Sequence, residues 1–114
     1  MKFGDWGEQK AVRYLEKLGY KIVECNFRCK AGEIDIIARL EDVLCFFEVK
    51  TRNSLAFGRP SEAINKIKKH HILRTAQFYL LLNNIIDADS RIDVIEILKV
   101  DGKTYINHIE NAIY

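Results

Sequence analysis

The segment Gly32–Arg52, GEIDIIARLEDVLCFFEVKTR, limits most tightly what this chain can fold into. It holds two short apolar runs of strand length. Each carries acids that a buried strand normally excludes, because an uncompensated carboxylate in an apolar setting is costly. Glu33 and Asp35 stand two apart on the first run, and Glu48 and Lys50 two apart on the second. Side chains two apart on a strand project from one face, so a hairpin turning at Leu40–Asp42 sets the two charged pairs side by side. Carboxylate oxygens are the ligands that magnesium and manganese prefer, and a bound cation removes the repulsion between paired acids. Lys50 is no ligand while protonated; it would orient an attacking water or neutralise charge developing on a phosphate. Two acids and a lysine around a metal are the parts of metal-assisted phosphodiester hydrolysis. The plainer alternative is a cross-strand ladder of salt bridges at a sheet edge. That suits Glu48 beside Lys50 better than it suits acids embedded among Ile34, Ile36 and Ile37.

A helix is expected over residues 5–18, where Ala11, Leu15 and Leu18 share one face and Gly19 ends the run. Glu8 falls on or at the edge of that face. Two readings stand: a capping box with Asp5 as N-cap, or a carboxylate aimed at a site. Strands are expected at Tyr20–Cys25, Glu33–Arg39 and Val43–Lys50, with a polar, basic connection from Asn26 to Gly32. Together they form an antiparallel meander with the first helix packed on a face. A second helix should start near Pro60 and Ser61 and run to Asn83. Its first half is basic, with Lys66, Lys68, Lys69 and Arg74, and reads most simply as a solvated face. Its second half, Phe78–Leu82, is apolar nearly all round and should be anchored in the core. Ile92–Val100 follows as a strand parallel to an earlier one, and Asp101–Gly102 turns the chain into a fifth strand, Lys103–Ile109. The whole is one α/β domain of 114 residues, a length suited to a single core.

A formal net charge of +2 is too small to diagnose a nucleic-acid partner, so that argument rests on where charges sit. No apolar stretch is long enough to span a bilayer, and the N-terminus lacks a signal-peptide pattern. A cytoplasmic protein without a membrane partner is expected. Three cysteines, an odd number, fit reduced thiols better than a disulfide framework. Cys25 and Cys29 have no partners at zinc-ligand spacing.

Asp35, then twelve residues, then Glu48-Val49-Lys50 resembles the D-(E/D)xK motif of the restriction-endonuclease-like nuclease superfamily. The order helix, three-strand meander, helix, strand is similar to that superfamily's core, here with an extra C-terminal hairpin strand. GEIDIIA, FFEVKTR, the upstream Glu8 and the RIDV at Arg91–Val94 resemble the bacterial YraN-like family, related in pattern to archaeal Holliday junction resolvases. The resemblance implies that Asp35 and Glu48 bind Mg2+ or Mn2+, with help from the Val49 carbonyl. It implies that Lys50 is the catalytic lysine and that Glu8 completes the acidic site. Glu33 matches the family's GEID as an acidic neighbour without a defined role. Arg52 and Lys68 match basic positions that touch phosphate, and Arg28, Lys30 and Arg59 are further candidates for the nucleic-acid contact. The proline that often precedes the superfamily's aspartate is absent, Ile34 standing there. A two-fold homodimer follows by analogy with resolvases.

These features predict a metal-dependent endonuclease acting on DNA, branched or otherwise structured. The alternative is a non-catalytic nucleic-acid-binding module on the same scaffold, and the third is a protein-interaction domain using the apolar end of the second helix.

Overall fold

The computed structural model describes residues 3–53 and 66–112. Helix α1 (Phe3–Lys17) precedes strands β1 (Lys21–Cys29), β2 (Gly32–Leu40) and β3 (Val43–Arg52). Helix α2 (Lys66–Leu82) follows, and strands β4 (Asp89–Val100) and β5 (Lys103–Ile109) complete the domain. The strands make one sheet in chain order, antiparallel except between β3 and β4, which run parallel. This is a small α/β domain with a five-stranded mixed sheet and two helices.

Strand alternation builds two cores. Cys45 and Phe47 of β3 and Ile95 and Ile97 of β4 pack with Ala11 and Leu15 of α1. Leu44 and Phe46, with Ile92 and Val94, pack instead with Ile72, Ala76 and Tyr79 of α2. Both faces of the central strands are therefore buried, as a parallel pair requires, and the helices lie on opposite faces. Ile72, Thr75, Ala76 and Tyr79 are the buried residues of α2, and their spacing traces one helical stripe.

Three expectations need correction. Asn26–Cys29 belongs to β1 rather than to a connection, since Phe27 pairs with Ile34 and Arg28 with Glu33. The turn shrinks to Lys30–Ala31. An edge strand with one wet face has a polar composition, and Asn26 takes a positive φ of 57° that further disguises it. Next, the C-terminal half of α2 is not anchored all round. Tyr79 is buried, but Leu81 is 78% exposed and Leu82 60%. Finally, α1 is already helical at Asp5, so Asp5 sits in the first turn rather than at the N-cap. Its charge there favours the helix dipole. The expected helix start at Pro60 and Ser61, and Arg59, lie outside the described residues. Asp101 and Gly102 form the expected hairpin turn, both with positive φ, 51° and 77°.

Gly7 sets how closely α1 meets the sheet. A Cβ at this position would stand 2.1 Å from Thr51 Oγ1 and 2.9 Å from its Cγ2. Glu8 is the next residue, so this contact places the acidic end of α1 against β3. Gly7→Ala should destabilise the fold by about 1–3 kcal/mol through overpacking, and Gly7→Ala with Thr51→Ala should recover most of the loss in denaturant titrations. A single variant as stable as the wild type would show that the helix approaches the sheet less closely.

Candidate active site

The site forms where the sheet splits. The β2–β3 ladder runs from Leu40 opposite Val43 to Ile36 opposite Phe47 and stops there. Beyond that point β2 stays paired with β1 as far as Gly32, while β3 stays paired with β4 as far as Arg52. Asp35 and Glu48 are the first residues past the fork. Ile34 packs in the α2-side core with Ile37, but Ile36 packs in the α1-side core with Ala38. The face alternation of β2 thus changes phase at Asp35.

That phase change also decides Glu33. It does not join Asp35 on one face in the manner simple alternation predicts. Its half-exposed carboxylate instead meets Arg28 Nε at 3.0 Å.

The fork frees the Val49 amide, which donates to Asp35 Oδ2 at 2.7 Å. The two carboxylates of the fork are poor neighbours. Burial, and then the charge of Glu48, push the Asp35 carboxyl up to about 7, although the Val49 hydrogen bond pulls the other way. Glu48 is buried, 4% exposed, and its Oε1 accepts from Lys50 Nζ at 3.2 Å and from Lys68 Nζ at 2.8 Å. Burial and the adjacent Lys68 ammonium lower the Lys50 pKa. Burial also works against the Lys68 charge, but its hydrogen bonds to Glu48 and Lys50 and the charges of Glu48 and Asp35 together outweigh this and leave its pKa raised.

Asp35, Glu48, Val49, Lys50 and Lys68 therefore come together. Glu8 lies within electrostatic reach, its carboxyl raised by burial and by Asp5, Glu33 and Glu48. It opens on a groove of about 590 Å³ between α1 and β1, shared with Gln9, Arg13 and Cys25. Among the described residues, no three histidine, cysteine, aspartate or glutamate side chains are grouped closely enough to hold a metal ion. Arg28 and Lys30 are exposed on the β1–β2 side of the fork, and Arg52 is half-buried at the end of β3. Lys68 reaches inward to Glu48, where the sequence suggested only a solvated face or a phosphate contact.

Glu96 is a residue that sequence reasoning missed. It is the β4 partner of Lys50 and lies 4% exposed. Its Oε1 accepts from Asn107 Nδ2 at 2.6 Å, while the buried Oε2 has no hydrogen-bond partner among the described residues. The signal was present: an acid among Ile95, Ile97 and Val94 is as anomalous as Asp35 among isoleucines. Glu96 extends the polar strip of the sheet from β3 to β5.

A second buried polar cluster lies on the α1 side. Asp93, fully buried, accepts from Arg91 Nε at 3.0 Å, from the Asn111 amide at 3.0 Å, and pairs with His108 Nε2 at 2.7 Å. Arg91 also donates to the Tyr20 hydroxyl, and the Tyr14 hydroxyl meets His108 Nδ1 at 3.1 Å. This cluster ties β4, β5 and the C-terminal end of β5 to α1.

A mixed α/β sheet carrying two carboxylates and two lysines at a fork between strands defines a protein with a charged site in its sheet. The chain belongs to the uncharacterised protein family UPF0102, whose profile matches residues 7–97. It is 54% identical to a UPF0102 protein of Alkaliphilus oremlandii over 113 residues, 97% of each chain. It is 48% identical over 113 residues to a UPF0102 protein of Clostridium acetobutylicum, covering 97% of this chain and 93% of the relative. A Clostridioides difficile relative is 46% identical over 109 residues, 96% of this chain and 94% of the other.

Proposed function

We propose that this protein is a restriction-endonuclease-like, Mg2+- or Mn2+-dependent endonuclease that hydrolyses phosphodiester bonds in DNA, with branched or structured DNA as its substrate. The observation that carries the reading is the pair of carboxylates, Asp35 and Glu48, held face to face at the fork with Lys50 on the same side of β3. A carboxyl pushed up to about 7 by burial and a neighbouring acid marks a place where positive charge is wanted. The donor set suits a hard cation, held by Asp35, Glu48 and the Val49 carbonyl with Glu8 nearby. Such an ion supplies Lewis acidity and an acidified water.

The chain's own groups do the rest. The Val49 amide keeps Asp35 Oδ2 oriented toward the fork. Lys50, only 15% exposed, presents an ammonium on a fixed strand, where it donates to a phosphate oxygen or orients the attacking water. Arg28, Lys30 and Arg52 flank the fork and suit backbone phosphates. No helix among the described residues is long and apolar enough to cross a membrane. A two-fold dimer, offered by the resemblance to resolvases, would present two such sites to a junction.

The test is cleavage of linear, flapped and four-way-branched DNA with Mg2+ or Mn2+ by the wild type and by Asp35→Ala, Glu48→Ala and Lys50→Ala. Each variant should lose about a hundredfold or more in rate, as expected when a charged group acting at the transition state is removed. Undiminished cleavage in all three would remove this site from the reaction. The second reading is a non-catalytic nucleic-acid-binding module, favoured by the lack of a three-ligand group among the described residues. It predicts binding that weakens steeply with salt and no cleavage with any metal.

A further inference from the structure

Glu48 Oε1 is shared by two ammonium groups that come from different elements. Lys50 stands two residues along the same strand, its side chain 15% exposed, so the backbone of β3 fixes where it can go. Lys68 comes from α2, approaches more closely at 2.8 Å, and its side chain is 42% exposed. The nearer cation is thus the one with an open path to solvent. At the fork two acids, Asp35 and Glu48, stand with two lysines, Lys50 and Lys68, and Glu8 lies within electrostatic reach. A divalent cation reaching Glu48 must compete for an oxygen that is already occupied, and departure of a resident ammonium frees that oxygen and lessens the positive charge the ion adds.

We propose that Lys68 is a placeholder cation: it neutralises Glu48 when no metal is bound and is displaced from that oxygen when a divalent metal binds. The inference rests on the metal-binding reading given above. It goes further in assigning Lys68 a competitive role toward the metal, beyond contact with phosphate. Displacement leaves the Lys68 ammonium at the mouth of the site on a flexible four-carbon stem, where a phosphate is the natural new partner. Metal binding and nucleic-acid binding then reinforce each other, because each vacates or fills the position that the other needs.

Lys68→Met keeps most of the stem and removes the charge. The experiment is direct titration of the whole chain with Mn2+, read by calorimetry and by the signal of free Mn2+ in electron paramagnetic resonance. A charge-assisted hydrogen bond contributes enough that its removal should tighten Mn2+ binding by about tenfold. Lys68→Gln should move affinity in the same direction. Lys66→Met, an exposed lysine two residues nearer the start of the described helix, should change it by less than about twofold, the long-range effect of one screened charge. The Mn2+-induced rise in melting temperature should be larger for Lys68→Met than for the wild type. Unchanged or weaker binding by Lys68→Met beside measurable wild-type binding would overturn the placeholder role and leave the metal site standing. No binding by wild type or variant would overturn both.

Discussion

Replacing Asp93 with alanine is expected to cost about 3–5 kcal/mol of folding stability, the loss typical of breaking one side of a buried ion pair. Asp93 is fully buried and accepts from Arg91, His108 and the Asn111 amide. Removing it strands the Arg91 guanidinium, only 16% exposed, and the His108 imidazole together. Arg91 also holds Tyr20, and His108 holds Tyr14, so the damage reaches α1 and the start of β1. A fall in melting temperature of more than about 10 °C should follow for a domain of this size. A loss below about 1 kcal/mol would mean that the cluster is held by packing alone. The acid dependence has a definite sign. Burial alone would raise the Asp93 pKa, but the hydrogen bonds from His108, Arg91 and Asn111 outweigh it and leave it lowered. Its contribution is therefore present above the ordinary carboxylate value and is lost as pH falls through the folded value. Asp93→Ala should flatten that acid limb of the stability profile.

Asp35→Asn should behave in the opposite way: it should stabilise the metal-free protein while abolishing metal-dependent cleavage. Burial and Glu48 push this carboxyl up from 3.8 to about 7. A raised carboxyl pKa means that the fold prefers the protonated acid. Stability is then full below about pH 4 and declines as pH rises toward 7, above which the penalty is complete. Asparagine keeps an oxygen for the Val49 amide and carries no charge. At pH 8 the variant should gain about 2 kcal/mol, with half or more of the nominal shift discounted for relaxation around the fork. At pH 4 it should gain little. Melting curves of both proteins without metal decide the matter: equal stability at pH 8 would show that the carboxylate repulsion is already relieved. Stability gained on removing a charged group is what an electrostatically strained site leads one to expect.

The sheet was largely legible from alternation, because β2, β3 and β4 bury both faces and their apolar residues leave little choice. The hairpin at Asp101–Gly102 was equally plain, since few residue pairs accept two positive φ values. Less was legible where composition and burial part company. Asn26–Cys29 reads as a loop because an edge strand exposes polar side chains, and Phe27, with the partly buried Cys29, marks its core contact. Phe78, Leu81 and Leu82 look like an anchor, yet the stripe through Ile72, Thr75, Ala76 and Tyr79 leaves all three of those side chains largely exposed. At the site, Asp35, Glu48 and Lys50 stood out as charges within apolar runs. Glu33 was paired with Asp35 by counting residues, and the phase change on β2 undoes that count. Lys68 and Glu96 were harder to place, because their proximity to the fork comes from α2 packing and from the β3–β4 register. Local sequence spacing encodes neither.

The split in the sheet has a mechanical consequence. β1 and β2 form one jaw carrying Asp35; β3, β4 and β5 form the other, carrying Glu48 and Lys50. The ladder from Leu40–Val43 to Ile36–Phe47 is the hinge between them, and the Asp35–Val49 hydrogen bond is a clasp across the gap. Repulsion between the two carboxylates works against that clasp, while the buried roots of the strands hold the jaws together. Whatever neutralises either carboxylate therefore relieves the load on that clasp, so that the stability of the split sheet is tied to the charge at its tips.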